Sequence, residues 1–298
     1  MFKTLLHKTL AALGFASIAG CTTAPQQAPS AQPALWQVAD ADTTIYLFGT
    51  IHMLPENYSW RTPAFDQVVN GSQSLVVETI LDEANPQALA GELARLGIRQ
   101  GLPPLAQRVS PDKRPLLEAA IAKTGVPRSA FDIMETWAAA FTILGTQFQN
   151  LGLSAGAGVE TALKQNFKQA GKPVGQLETN SEQLSLFDTL PEKAQRDLLE
   201  GSIETPTEMR GQFNAMLAAW ARGDVSAIGK TFNEDLASSP ELQHALIRRR
   251  NQNWSEWVER RLAAPGTTLI AVGAGHLAGP ESVLDLLQRK GYQVRRVQ

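Results

Sequence analysis

The pattern of apolar and polar positions divides the chain in two. Before Leu35 there is one short apolar run, Leu5 to Ile18, followed by an Ala-, Pro-, Gln- and Ser-rich stretch, Thr22 to Pro33, without a periodic apolar face. From Leu35 onward apolar residues recur at strand and helix spacings. Thr43 to Phe48 is β-branched and aromatic and breaks at Gly49, which predicts a strand. Pro63 to Asn70 reads as a short helix and Ser74 to Glu78 as a buried strand. Helical spacing covers Pro86 to Leu96 and Pro111 to Lys123, each with Pro near its start. Ala130 to Leu151 reads as one long apolar helix, Val159 to Ala170 as a helix closed by Gly171, and Lys172 to Leu177 as a short strand.

A helical block follows from Ser181 to about Ala263, punctuated by Pro191, Pro206, Gly223 and Pro240, with Trp220, Trp254 and Trp257 as core anchors. Strand Thr267 to Val272, helix Pro280 to Lys290 and strand Gln293 to Val297 close the chain. Helix dominates, so the fold class is α/β or α+β with small sheets. Ile45-Tyr-Leu-Phe-Gly-Thr-Ile-His52 and Leu269-Ile-Ala-Val-Gly-Ala-Gly-His276 share one plan: an apolar strand, Gly-x-x-His, a helix, another strand. They suggest two such units paired in one sheet, with a large helical insertion between them.

The N-terminus changes the picture of where the domain works. Lys3 and Lys8 accompany an apolar run too short to span a membrane but of signal-peptide length. The run ends in Ile18-Ala19-Gly20-Cys21, which resembles the bacterial lipobox, and Cys21 is the only cysteine. Residues 1–20 are expected to be a lipoprotein signal peptide, Cys21 the lipidated residue, 21–34 a flexible tether, and 35–298 the folded domain. Roughly 265 residues suffice for one large domain. The expected location is the cell envelope, on a lipid anchor. Thr22 after the cysteine, rather than Asp, favours the outer membrane facing the periplasm. A formal net charge of −2 and no basic run interleaved with aromatics argue against nucleic acid as a partner.

Candidate chemistry gathers at predicted strand ends, where α/β sheets bind ligands. His52 and His276 each lie three residues past a glycine that frees the backbone to turn. Glu78 ends an apolar strand, where an unpaired carboxylate is costly. A scaffold glutamate there would be paired with an arginine or capped by backbone N–H groups. A metal-binding or general-base glutamate would instead leave the metal-free fold intact when replaced. Glu178 follows another strand, although Thr179 or Ser181 with Glu182 also suits a helix cap. Glu160 sits in a helix's first turn, where a carboxylate is favoured anyway. Arg248-Arg249-Arg250-Asn251 is either a solvated basic face or supplies one arginine to hold a substrate oxyanion. Two histidines with carboxylates suit a divalent metal with an open position for water. Gly273-Ala-Gly-His-Leu-Ala-Gly279 is one residue too long for a dinucleotide loop, and a P-loop and His-Glu-x-x-His are absent.

Together, Leu47 to Pro55, Val76 to Glu78, Leu177 to Gln183, Arg250-Asn251 and Val272 to Pro280 resemble, in order, the TraB/GumN (TraB/PrgY/GumN) family, which is related to the TIKI proteases. The resemblance covers about Leu35 to Val297. It implies a paired Gly-x-x-His hydrolase-like core, with His52, His276 and Glu78 as metal and site residues. The related ChaN-like group includes haem-binding lipoproteins. Three functions therefore stay open. One is a metal-dependent hydrolase of peptide-like substrates, using manganese, cobalt or zinc. In it Glu178 or Glu78 would be general base and Arg250 would stabilise negative charge. The second is a haem- or ligand-binding lipoprotein, and the third a surface interaction protein without chemistry.

Overall fold

The computed structural model describes residues 31–80, 86–203, 205–236 and 239–298. Cys21, the expected signal peptide and most of the expected tether lie outside them. Contacts with the fold begin ahead of Leu35: Ala31 and Ala34 are buried, and Gln32 N–H donates to Ala221 O.

Six strands form one sheet: β1 (Leu35–Ala39), β2 (Thr43–Thr50), β4 (Ser74–Val77), β6 (Val174–Gln176), β7 (Gly266–Gly273) and β8 (Val294–Arg296), in the order β6-β4-β7-β2-β1-β8. A separate two-stranded ladder joins β3 (Leu54–Pro55) and β5 (Leu153–Ser154). The sheet is larger than the sequence pattern predicts, because β1 was not foreseen. It pairs antiparallel with both β2 and β8 and carries the sheet out to its edge.

The central strands are buried on both faces, and their side chains sort by alternation. Phe48, Leu75, Val77, Leu269 and Ala271 join the larger core. Ile45, Leu47, Val76, Ile270 and Val272 join the smaller one, under helices Arg249–Leu262 and Val283–Arg289. The Gly-x-x-His strands β2 and β7 are parallel neighbours, with Phe48 opposite Ala271 and Thr50 opposite Gly273. β4 and β6 run parallel to them. Four strand ends therefore open on one side, and the residues that follow are His52, Glu78, Glu178 and His276.

Two predicted helices differ from the sequence reading. The long one divides into Arg128–Asp132 and Thr136–Asn150. Between them Met134 bridges to Ile98, Glu135 N–H donates to Gly97 O, and the buried Arg108 guanidinium takes the carbonyls of Asp132 and Met134. Those carbonyls satisfy a buried cation instead of a helical ladder. The last helix starts at Val283, not Pro280, because Glu281 takes a left-handed conformation with φ 60°. Within the helical block, helices begin at Glu192, Pro206, Val225 and Pro240, at or just after the predicted breaks. Trp220 and Trp254 are buried core residues, and Trp257 packs half-buried against the smaller core.

Candidate functional site

Each chemical side chain leaves a strand end under local constraint. A Cβ on Gly49 would stand 3.0 Å from Ala274 Cα, so glycine lets the turn after β7 lie against the end of β2. His52 follows that end, and His276 sits in the 3₁₀ turn Ala274–Leu277. Val159 N–H donates to Ile51 O, which draws helix Val159–Gln169 against the exit of β2 and brings Glu160 to His52. Glu178 N–H donates to Glu78 O, so the two glutamates leave β4 and β6 side by side. Arg250 enters from helix Arg249–Leu262, just after a π-helical turn at His244–Arg248, a deformation common at functional sites.

Both imidazoles are held by Nδ1 (hydrogen positions here follow from the bonding partners). Asn251 Nδ2 donates to Glu281 O at 2.8 Å. A carbonyl can only accept, so Asn251 Oδ1 must face His276 Nδ1, 2.6 Å away. Nδ1 therefore carries the hydrogen, and Nε2 keeps its lone pair. His52 Nδ1 donates to Glu160 Oε1 at 2.5 Å, and Thr50 Oγ1 donates to the same oxygen. The Nε2 of His52 points inward, 3.8 Å from Glu78 Oε1. A Cβ on Gly273 would lie 3.1 Å from His52 Nε2, 3.1 Å from Glu78 Oε1 and 3.6 Å from His276 Cδ2. The two rings and the carboxylate thus border one spot, which the missing side chain of Gly273 leaves open.

Arg250 is the cation of this group, and it is only 3% exposed. Its Nη2 donates to Glu78 Oε2 at 2.6 Å and also to Glu178 Oε1. Nε donates to Glu178 Oε2 at 3.1 Å. Nη1 donates to His276 Nε2 at 3.0 Å and to Leu246 O at 3.3 Å. These five contacts match the five N–H hydrogens of a guanidinium. Trp254 covers both partners, with its ring 4.6 Å from Arg250 Cζ and 4.5 Å from the His276 ring. Gln183 Nε2 donates to Glu178 Oε1 at 3.1 Å. Glu78 is paired with an arginine and also accepts from Gly273 N–H at 2.7 Å. Those are the features anticipated for a scaffold glutamate, so replacing Glu78 costs stability in the metal-free protein. Because Arg250 keeps Glu178, the cost is nearer that of a charged hydrogen bond, about 1.5–3 kcal/mol, than that of an orphaned ion.

The two histidines are driven apart electrostatically. Burial alone would lower the His52 pKa, but the charge and hydrogen bond of Glu160, with Glu78 behind, outweigh it and raise it to about 9. Burial and the Arg250 charge lower His276 to about 3. Burial opposes ionisation of Glu78 too, yet Arg250, the histidines and Gly273 N–H hold it well below the usual carboxylate range. Glu178 moves the other way: burial, with the Glu78 charge, outweighs Arg250 and raises it.

Among the described residues, no group of three or more His, Cys, Asp or Glu stands ready to hold a metal ion. The donors are nevertheless of the right kind. Metal-binding imidazoles characteristically donate their other N–H to a carboxylate or amide oxygen, as both do here. The chemistry of the set fits a divalent ion, while its present spacing serves Arg250.

All five predicted residues, His52, Glu78, Glu178, Arg250 and His276, meet at this one place. Thr179 and Glu182 form the capping box anticipated there, and Glu178 joins the cluster as well. Of the basic triplet, Arg248 pairs with Glu281 at the surface and Arg249 is exposed, while Arg250 turns inward. The sequence reading offers Glu160 as a candidate carboxylate partner beside its helix-terminus role and assigns no chemical role to Asn251, Gln183 and Trp254. Asn251 and Gln183 lie within the segments Arg250-Asn251 and Leu177 to Gln183 that carry the family resemblance, which is the signal that points to them.

The histidine shifts set a pH profile for the metal-free protein. The raised pKa of His52 adds stability that is complete below about pH 6.5, the unfolded value, and is lost as pH rises through about 9. The lowered pKa of His276 adds stability that is complete above about pH 6.5 and is lost as pH falls toward about 3. Melting temperatures measured in chelator should peak near neutrality, and Glu160→Gln should flatten the alkaline limb. An unchanged alkaline limb in that variant would contradict the assigned His52–Glu160 pair.

The profile of the TraB/PrgY/gumN family matches residues 34–296. The uncharacterized protein YbaP of Escherichia coli (strain K12) is 25% identical over 256 residues, covering 86% of this chain and 92% of its own. YbaP of Shigella flexneri is 26% identical over 243 residues, covering 82% and 87%. An uncharacterized protein of Treponema pallidum (strain Nichols) is 22% identical over 269 residues, covering 86% and 80%. No solved structure matches the chain. With its family profile matched across the sheet, the paired Gly-x-x-His turns and the closing strand, the chain belongs to the TraB/PrgY/gumN family.

Proposed function

We propose that this protein is a metal-dependent hydrolase of peptide-like bonds, held at an envelope membrane by a lipid on Cys21. One observation carries the chemistry: two imidazoles, each fixed through Nδ1, border with a carboxylate the open spot beside Gly273, with His52 Nε2 facing it and His276 Nε2 turned to Arg250. His52, His276 and Glu78 would hold the ion. When bound, such an ion polarises a scissile carbonyl and makes water more acidic.

The other residues divide the remaining work. Glu78 is a poor proton acceptor, because its charge is held by Arg250 and Gly273 N–H. Glu178 is better suited although Arg250 holds it by two bonds, since burial and the Glu78 charge outweigh that pair and raise its pKa, and its side chain is the more accessible of the two, 11% against 6%. Its shift is in the direction that makes a carboxylate a better proton acceptor, so we assign Glu178 the part of general base. Glu160 and Asn251 orient the imidazoles. Peptide as substrate class rests on the sequence resemblance to TIKI-type proteases. Haem ligation is less well supported: His276 is 4% exposed and Trp254 covers its ring, which leaves little room for a macrocycle.

In a peptide-library cleavage assay with added Mn²⁺, Co²⁺ or Zn²⁺, wild type should cleave and chelator should stop it. His52→Ala should abolish both cleavage and the metal-induced rise in melting temperature. Glu178→Gln should keep that rise but lose about 10²–10⁴-fold in rate. Full cleavage by His52→Ala would sink the assignment. Anchoring is tested separately: Cys21→Ser should appear in the soluble envelope fraction or as uncleaved precursor, and a variant still carrying lipid would refute the anchor.

A further inference from the structure

Arg250 stands on atoms that a metal ion would need. His276 Nε2 has one in-plane lone pair, because Nδ1 holds the hydrogen that goes to Asn251. That lone pair now accepts from Arg250 Nη1 at 3.0 Å. It can serve the guanidinium or a metal ion at about 2 Å, and not both. Glu78 Oε2 is likewise taken by Arg250 Nη2 at 2.6 Å.

We propose that Arg250 is a resident counter-cation that a divalent metal must displace from His276 and Glu78, so that the protein exchanges one cation for another. This rests on the metal-binding function proposed above. The bonds of Arg250 fall into two sets that make the exchange feasible. The outer set is two-pronged, from Nε and Nη2 to Glu178 at the more accessible side. The inner set is one bond each to Glu78 and His276. Keeping the outer pair while giving up the inner bonds leaves the guanidinium paired and Glu78 and His276 free. The charge balance supports this order. Glu78 and Glu178 side by side need a cation to share the buried space. Arg250 supplies it in the metal-free protein, and the ion would supply it afterwards. The backbone beside Arg250 is also irregular, since its Nη1 bonds to Leu246 O within the π-helical turn His244–Arg248.

The experiment titrates Zn²⁺ into full-length wild type, Arg250→Ala and His52→Ala, by calorimetry and by melting temperature. Arg250→Ala should bind Zn²⁺ at least tenfold more tightly than wild type. Millimolar free guanidinium should restore part of the variant's metal-free melting temperature and weaken its Zn²⁺ binding competitively. In wild type, the side-chain ¹⁵N signals of Arg250 should shift on Zn²⁺ saturation as its bonds to His276 and Glu78 are lost. If Arg250→Ala does not fold, those signals decide. Equal or weaker Zn²⁺ binding by a folded Arg250→Ala, or unmoved Arg250 signals in Zn²⁺-saturated wild type, would overturn the exchange while leaving metal binding itself intact. If Zn²⁺ binds neither wild type nor the arginine variant, or binds His52→Ala as tightly as wild type, the metal site itself falls and the exchange falls with it.

Discussion

One guanidinium must satisfy two carboxylates and an imidazole in a place almost without water, and the geometry of the site depends on that constraint. Unpaired, any of these charges would cost several kcal/mol. The pairing is possible because four chain segments far apart in sequence end together: β4 at Glu78, β6 at Glu178, β7 before His276, and the helix that begins at Arg249. The parallel register of β2, β4, β6 and β7 brings three of them to one side of the sheet. The π turn before Arg249 delivers the fourth.

The same constraint separates the two histidines, although their sequence settings match. His276 lies against Arg250 and is driven neutral. His52 lies against Glu160 and is driven to the charged form. Their Nδ1 partners are also different in kind, an amide at one and a carboxylate at the other. A metal taken up at neutral pH would therefore meet one lone pair already presented by its tautomer and one proton that must leave. Glu281 pays into this arrangement from outside. Its left-handed backbone turns its carbonyl to the Asn251 amide nitrogen, and that contact leaves the amide oxygen to face His276.

Much of the site was legible because it follows strand ends. The echo of Gly49-Thr-Ile-His52 in Gly273-Ala-Gly-His276 pointed to adjacent turns, and Glu78 stood out as a carboxylate closing an apolar strand. What stayed hidden depends on contacts between distant segments. Glu160 reads as an ordinary first-turn acid until Val159 N–H ties its helix to Ile51 O. Asn251 reads as a polar helix residue until Glu281 turns out of helical geometry. The β1 strand escaped because Leu35–Ala39 abuts a segment without periodicity and finds its partners only in β2 and β8. The divided helix escaped because its break is imposed by the carbonyls that Arg108 recruits, and residues 130–151 themselves keep helical spacing.

The most direct measurement is an anomalous-difference map from crystals of the full domain soaked in Co²⁺ or Zn²⁺ at neutral pH. A peak within about 2–2.5 Å of His52 Nε2, His276 Nε2 and a Glu78 oxygen, with Arg250 moved off His276, is the predicted result. A fully bound ion elsewhere, or no peak with Arg250 still on Glu78 and His276, would contradict it.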